Sequence, residues 1–180
     1  GGALTLISDT GSILSTNTGP STSRLTASAA GSISLAGTIA SLGTITAGQS
    51  ILLTTYSGVM DLTGNVTGRN ISLYADTGIS QSGGIITADR LNAIASGSIS
   101  LTGANQIGLV GRLDTDRYDS GTGHDITLRN AGAIVLDYLI KAPGGTVTLT
   151  SDTGGISQTG FSVITAGTLK ANAVGDIVLD

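Results

Sequence analysis

The side chains best suited to chemistry are crowded into one stretch, Arg112–Asp125, reading RLDTDRYDSGTGHD. It holds Asp114, Asp116, Asp119 and Asp125, the chain's single histidine His124, and Arg112, Arg117 and Tyr118. Three readings compete. Calcium needs several carboxylate oxygens converging on one point, and the order Asp-x-Asp-x-x-Asp-x-Gly offers Asp114, Asp116 and Asp119 as ligands. The spacing departs from that of the helix–loop–helix calcium site, and Arg112 and Arg117 oppose a cation. A glycan-cleaving site would use paired carboxylates as general acid and base or nucleophile. Nothing elsewhere in the chain supplies a partner cleft for it, and the aromatics available for stacking on sugars are few: Tyr56, Tyr74, Tyr118, Tyr138 and Phe161. The third reading is a solvated loop whose charges pair locally or touch a partner, and the residue types favour it. No catalytic, cofactor-binding or metal site is therefore assigned, and Arg112–Asp125 is expected to project as a partner-contact loop.

Asp-Thr-Gly invites a second suspicion, because two such triplets build the catalytic dyad of aspartic proteases. Here it occurs three times, at Asp9–Gly11, Asp76–Gly78 and Asp152–Gly154. A dyad needs two carboxylates sharing a proton within hydrogen-bond reach. Three copies riding on a structural repeat, stacked along one corner about 14 Å apart, do not provide this. Turn chemistry explains them better: Asp bonds the local backbone and Gly accepts a positive φ.

These residues must be held by something, and composition narrows what that is. Every acidic residue is Asp, there is no Glu, Trp or Cys, and Gly, Ser and Thr abound. Good helix formers are scarce, while Ile, Val, Leu and Thr recur at alternate positions, which argues for strands broken by tight turns. Hydrophobic residues make up 39% of the chain and the net charge is only −4, so disorder is not expected. No apolar run approaches the ~18 residues of a membrane span. Eight scattered Lys and Arg form no basic stripe for nucleic acid.

Apolar triplets recur in two alternating series. One runs Leu4, Leu25, Ile51, Ile71, Leu91, Ile126, Val147, Leu169; the other follows it by eight or nine residues, as Ile13, Ile33, Met60, Ile79, Ile99, Ile134, Ile156, Ile177. A third, less regular apolar site includes Val66, Ile86, Ile107, Ile140 and Ile164. A period near 20 residues made of short strands and turns predicts a parallel β-solenoid. The expected architecture is all-β, a single segment 1–180 of about eight coils with starts near 4, 25, 51, 71, 91, 126, 147 and 169. Its cross-section is roughly triangular. Alternation points pairs such as Ile71/Leu73 and Ile126/Leu128 inward. Leu-x-Ala at Leu25, Leu91 and Leu169, with Ser15, Gln81 and Gln158 standing where other coils put Leu, suggests a three-coil super-repeat, and residues 112–125 form a loop insertion. Outward Thr-x-Thr pairs occur in only one coil of the first series, too few for an ice-binding lattice. The chain opens and stops in mid-coil, so it is expected to belong to a longer or end-to-end assembled solenoid.

The phrases SDTGGISQTG, ITAGTLKANAVGDIVLD and SISLTGANQIGLVG resemble the repeat regions of filamentous-haemagglutinin-like bacterial exoproteins, which are exported by two-partner secretion. The resemblance covers essentially the whole chain. It implies a right-handed parallel β-helix in a secreted or cell-surface protein serving adhesion, aggregation, biofilm or surface attachment, with no cofactor. Its partners would be a host or environmental glycan or protein surface, or other copies of itself, with neither nucleic acid nor a membrane span. The alternatives are a self-assembling extracellular fibre subunit and a carbohydrate-active β-helix enzyme using the Asp-rich loop.

Overall fold

In the computed structural model, which describes residues 2–15, 19–118 and 123–180, the chain is a parallel β-solenoid without helices. Strand pairing sorts the chain into three faces. On the first, Leu4 pairs with Leu25, Ala27 with Ile45, Ile45 with Val66 and Val66 with Ile86. Higher up the same face, Ala88 pairs with Ile107, and Ile134, Ile156 and Ile177 stack on one another. The second face carries Ile13, Ile33, Ile51, Ile71 and Leu91, then Leu113 over Ala93, Ile140 over Leu113 and Ile164 over Ile140. The third carries Met60, Ile79, Ile99, Ile126, Val147 and Leu169. The chain completes about eight turns, giving a rod roughly 38 Å tall at a strand spacing near 4.8 Å.

The inward residues are those that alternation selects. Ile51, Leu53, Ile71, Leu73, Leu91, Ile126, Leu128, Val147 and Leu149 are all buried. They form one continuous aliphatic column that also takes in Met60, Val66, Ile86 and Leu101. The grouping into columns differs from the expectation. Ile51 lies over Ile33 rather than Leu25, and Ile126 lies over Ile99 rather than Leu91. The long step from Leu25 to Ile51 is one side of a turn, Leu25 to Ile33, followed by a whole turn. The step from Leu91 to Ile126 decomposes in the same way through Ile99. Each face accepts the same apolar-x-apolar triplet, so the sequence pattern passes from face to face without a visible break.

The super-repeat changes accordingly. Asp9–Gly11 follows a strand of the first face (Ala3–Ser8), Asp76–Gly78 one of the second (Asn70–Ala75), and Asp152–Gly154 one of the third. The module is three turns plus one face, so its copies sit on three different corners, and no common Asp-Thr-Gly corner exists. Their glycines are not at positive φ, which is confined to Gly58, Gly84 and Gly144 among the described residues. Glycine at 154 is needed for close approach instead: a Cβ there would lie 2.6 Å from the Ala133 nitrogen in the adjacent turn.

Two buried asparagines replace strand partners where the first-face ladder breaks. Asn105 Oδ1 accepts from the Ile86 amide (2.8 Å) and from Gln81 Nε2 (2.9 Å). Asn130 Oδ1 accepts from the Ile107 amide (2.9 Å), and its Nδ2 donates back to the Ile107 carbonyl (3.1 Å). The side-chain amide thus presents the donor–acceptor pair of a peptide, so Ile107 remains satisfied inside the rod.

Two outcomes follow. Oxidation should cross-link Ser100→Cys with Thr127→Cys, because paired strands put these Cα atoms near 4.8 Å apart, within disulfide reach, whereas Asn92→Cys with Thr127→Cys should stay reduced. Thiol quantitation reads this, and the opposite pattern would restore the sequence-based columns. Asn130→Leu should lower unfolding stability by about 1–3 kcal/mol for each Ile107 group left unpaired, measured by denaturant titration; a neutral effect would show that the amide mimicry contributes nothing.

Candidate functional site

The Asp-rich segment begins inside the rod. Arg112, Leu113 and Asp114 end the strand Ile99–Asp114, and Leu113 is fully buried over Ala93 and under Ile140. The extra residues come only after Asp114, where the chain takes 27 residues from Ile99 to Ile126 instead of the 20 from Ile79 to Ile99. The expectation that the whole of Arg112–Asp125 projects is therefore corrected: Leu113 is required in the aliphatic column, and it draws its neighbours in with it.

Asp114 is fully buried. One carboxylate oxygen accepts from Arg112 Nε at 3.0 Å, and the other accepts the Asp116 amide at 2.8 Å, closing a tight turn. Asp116 is 5% exposed, with a carboxylate oxygen 3.1 Å from Lys141 Nζ. The Thr115 amide donates to the Lys141 carbonyl at 2.9 Å, and the Thr115 hydroxyl lies 3.4 Å from the His124 carbonyl, joining both limbs of the loop. At the far end, the Asp125 amide donates to Ser98 Oγ (3.2 Å) and its carboxylate accepts the Thr146 amide (2.7 Å).

From Asp116 the chain runs down the rod instead of outward. The Arg117 amide donates to the Ala95 carbonyl one turn below, at 3.2 Å. Its guanidinium reaches a further turn down to Asp76, at 2.8 Å, where the Tyr118 hydroxyl donates to the same oxygen at 3.0 Å. The Arg117 guanidinium lies 5.9 Å from the centre of the Tyr74 ring and 5.4 Å from that of Tyr118, within cation–π range. The result is a clasp across three turns, with Asp76 as its acceptor. The hydrogen bond to the Asp76 carboxylate, aided by partial desolvation, raises the Tyr118 pKa above that of a free phenol.

The sequence offers Asp114, Asp116 and Asp119 as a calcium set only in a reading that its residue types disfavour. Asp114 and Asp116 are instead engaged by Arg112 and Lys141, and Asp119 lies outside the described residues. Among the described residues, no three His, Cys, Asp or Glu side chains converge as a metal site would require. The same pairing leaves the two inner carboxylates without the open, facing arrangement that glycoside hydrolysis needs. Arg117, Tyr118, His124 and Asp125 are brought to one corner as structural ties.

A different feature escaped the sequence. Along the corner between the first and second faces runs a shallow groove of about 500 Å³, lined by Thr67, Arg69, Thr87, Asp89 and Gln106 over a floor that includes Ala88 and Gly108. A second recess, of about 430 Å³, shares Gln106 and Gly108 and continues over Gly132, Ala133 and Val135. Thr46, Thr67, Thr87 and Gln106 are consecutive outward partners of the first face. The apolar pattern already set Val66, Ile86 and Ile107 on one side, but it carried no sign that their outward neighbours border a recess.

Asp76→Ala removes the acceptor that favours the neutral phenol. Tyr118 should then titrate at lower pH, nearer its ordinary value, in a spectrophotometric pH titration resolved against the Tyr118→Phe variant. An unchanged Tyr118 titration would contradict the clasp. No protein-family model, curated protein or solved structure matches the chain.

Proposed function

We propose that this chain is a structural and adhesive shaft segment of a filamentous-haemagglutinin-like bacterial exoprotein, secreted or displayed at the cell surface, with the right-handed winding that the resemblance implies. The observation that carries the reading is the succession of parallel strands, turn upon turn, around a single aliphatic column. Such a stack is stiff, extends by adding equivalent turns, and needs neither metal nor disulfide. Its surface suits an extracellular partner: outward positions are dominated by Ser, Thr and Asn, and much of the charge is neutralised in local pairs. Arg90 with Asp137, Arg117 with Asp76, Arg129 with Asp152 and Lys141 with Asp116 are such pairs, within a net charge of only −4. The reading gives the Asp-rich loop a clasping role and assigns it no catalysis, since Asp114 and Asp116 are engaged by cations. Adhesion would then arise from the faces and corners of the rod.

The test is attachment. Cells displaying residues 1–180 from a neutral surface anchor should bind to host-cell and glycan-coated surfaces several-fold better than cells displaying the anchor alone. Equal attachment on every surface would remove the adhesive part of the proposal.

A further inference from the structure

We propose that the groove on the first corner binds a neutral oligosaccharide, with Arg69 and Asp89 as the side chains that read its hydroxyls. This rests on the adhesive reading above and names the class of ligand. Asn70 pairs with Arg90, and the Arg90 amide donates to the Arg69 carbonyl at 3.0 Å, so Arg69 and Asp89 stand side by side in adjacent turns. Both are exposed, and among the described residues neither side chain forms an ion pair or hydrogen bond, with each other or with anything else. Arg90, Arg112, Arg117 and Arg129, in the same and higher turns, all hold aspartates. Among the described residues, Arg24 and Lys170 also lack an ion pair, but their register partners are Ala3 and Thr148, whereas Arg69 has an open carboxylate beside it at the lip of a groove.

Their chemistry selects the ligand. A guanidinium only donates and a carboxylate only accepts, whereas a sugar hydroxyl does both. Of two neighbouring hydroxyls on one ring, the first can accept from Arg69 while the second donates to Asp89. Opposite charges side by side also cancel, so an acidic or basic ligand attracted by one is repelled by the other. Thr67, Thr87 and Gln106 supply further groups that donate and accept, and the floor of Gly68, Ala88 and Gly108 is flat and apolar enough for the C–H face of a pyranose. Gly108 keeps that floor low: a Cβ there would lie 2.9 Å from the Asp89 carbonyl oxygen.

The direction of the groove distinguishes a glycan from a peptide. It runs across the strands, so its polar groups repeat at the turn spacing of about 4.8 Å, whereas an extended peptide advances only about 3.3 Å per residue and falls out of step within a few residues. A pyranose ring with its linking oxygen is close in length to one turn. Four turns contribute to the lining, from Ala47 to Gln106, a run of about 14 Å that matches a short oligosaccharide.

The experiment titrates cellohexaose, maltohexaose and chitohexaose into the ¹⁵N-labelled 180-residue chain, with an oligogalacturonate and an uncharged hexapeptide as comparison probes. The expected result is that at least one neutral hexasaccharide shifts the amides of Thr67, Thr87 and Gln106. Arg69→Ala and Asp89→Ala should each weaken that binding at least tenfold, while Thr148→Ala on the third face leaves it unchanged. Both altered residues are exposed, and circular dichroism verifies that the variants fold. The proposal is overturned if no neutral hexasaccharide shifts these amides, if binding survives both substitutions, or if the acidic sugar or the peptide binds more tightly. The adhesive reading is separable. Displayed Arg69→Ala/Asp89→Ala that still attaches removes the groove alone, and a parent chain that binds the sugar in solution but attaches to nothing removes adhesion alone.

Discussion

Everything in this molecule depends on each turn returning the chain one strand spacing higher and in register with the turn before. Parallel pairing leaves no tolerance for a half-step, because a one-residue slip would send every inward side chain to the surface. The length between equivalent positions nevertheless varies, from 17 residues between Leu25 and Leu42 to 27 between Ile99 and Ile126. Corners and shifts within strands absorb that variation together. Register shifts sit at Leu25/Ala27, Leu91/Ala93, Leu101/Asn105 and Ala142/Thr146, all in strands that continue past them. Where the ladder breaks altogether, Asn105 and Asn130 stand in for peptide groups, so a longer turn is accommodated without leaving Ile86 or Ile107 unpaired.

The same constraint explains the charges. A rod with few charged side chains could place them anywhere on its surface, yet several reach across turns: Arg90 to Asp137, Arg129 to Asp152 and Arg117 to Asp76. Exposed pairs of this kind contribute little energy individually. Their consequence here is geometric, since they tie turns that are neighbours in height and distant in sequence. The clasp of Arg117 and Tyr118 on Asp76 lays the start of the one long insertion along the corner, which keeps it from standing free. Arg69 and Asp89 are left over from this arrangement, and that gives their groove its interest.

Much of this was legible from the residues. Period-two alternation identified the strands, the inward side chains such as Leu73 and Leu128, and the number of turns. It failed to assign strands to faces, for a physical reason: all three faces bury the same kind of triplet, so nothing in Ile51 says whether it belongs over Leu25 or over Ile33. The error carried through to the sites. It placed the Asp-Thr-Gly copies on one corner and counted Leu113 and Asp114 into a projecting loop. The asparagine stand-ins were also invisible, because Asn105 and Asn130 read as ordinary polar residues until their depth is known.

Amide hydrogen exchange across the 180-residue chain tests the central claim most directly. If every turn couples the three faces into one ladder, protection should depend on height along the rod and hardly at all on face. The amides of Ile71, Ile79 and Ile86, on successive faces near mid-height, should exchange at similarly slow rates, and those of Ile177 and Val178 should exchange much faster. Slow exchange at Ile71 alongside fast exchange at Ile79 and Ile86 would mean that the faces are separate sheets, and would contradict the solenoid described here.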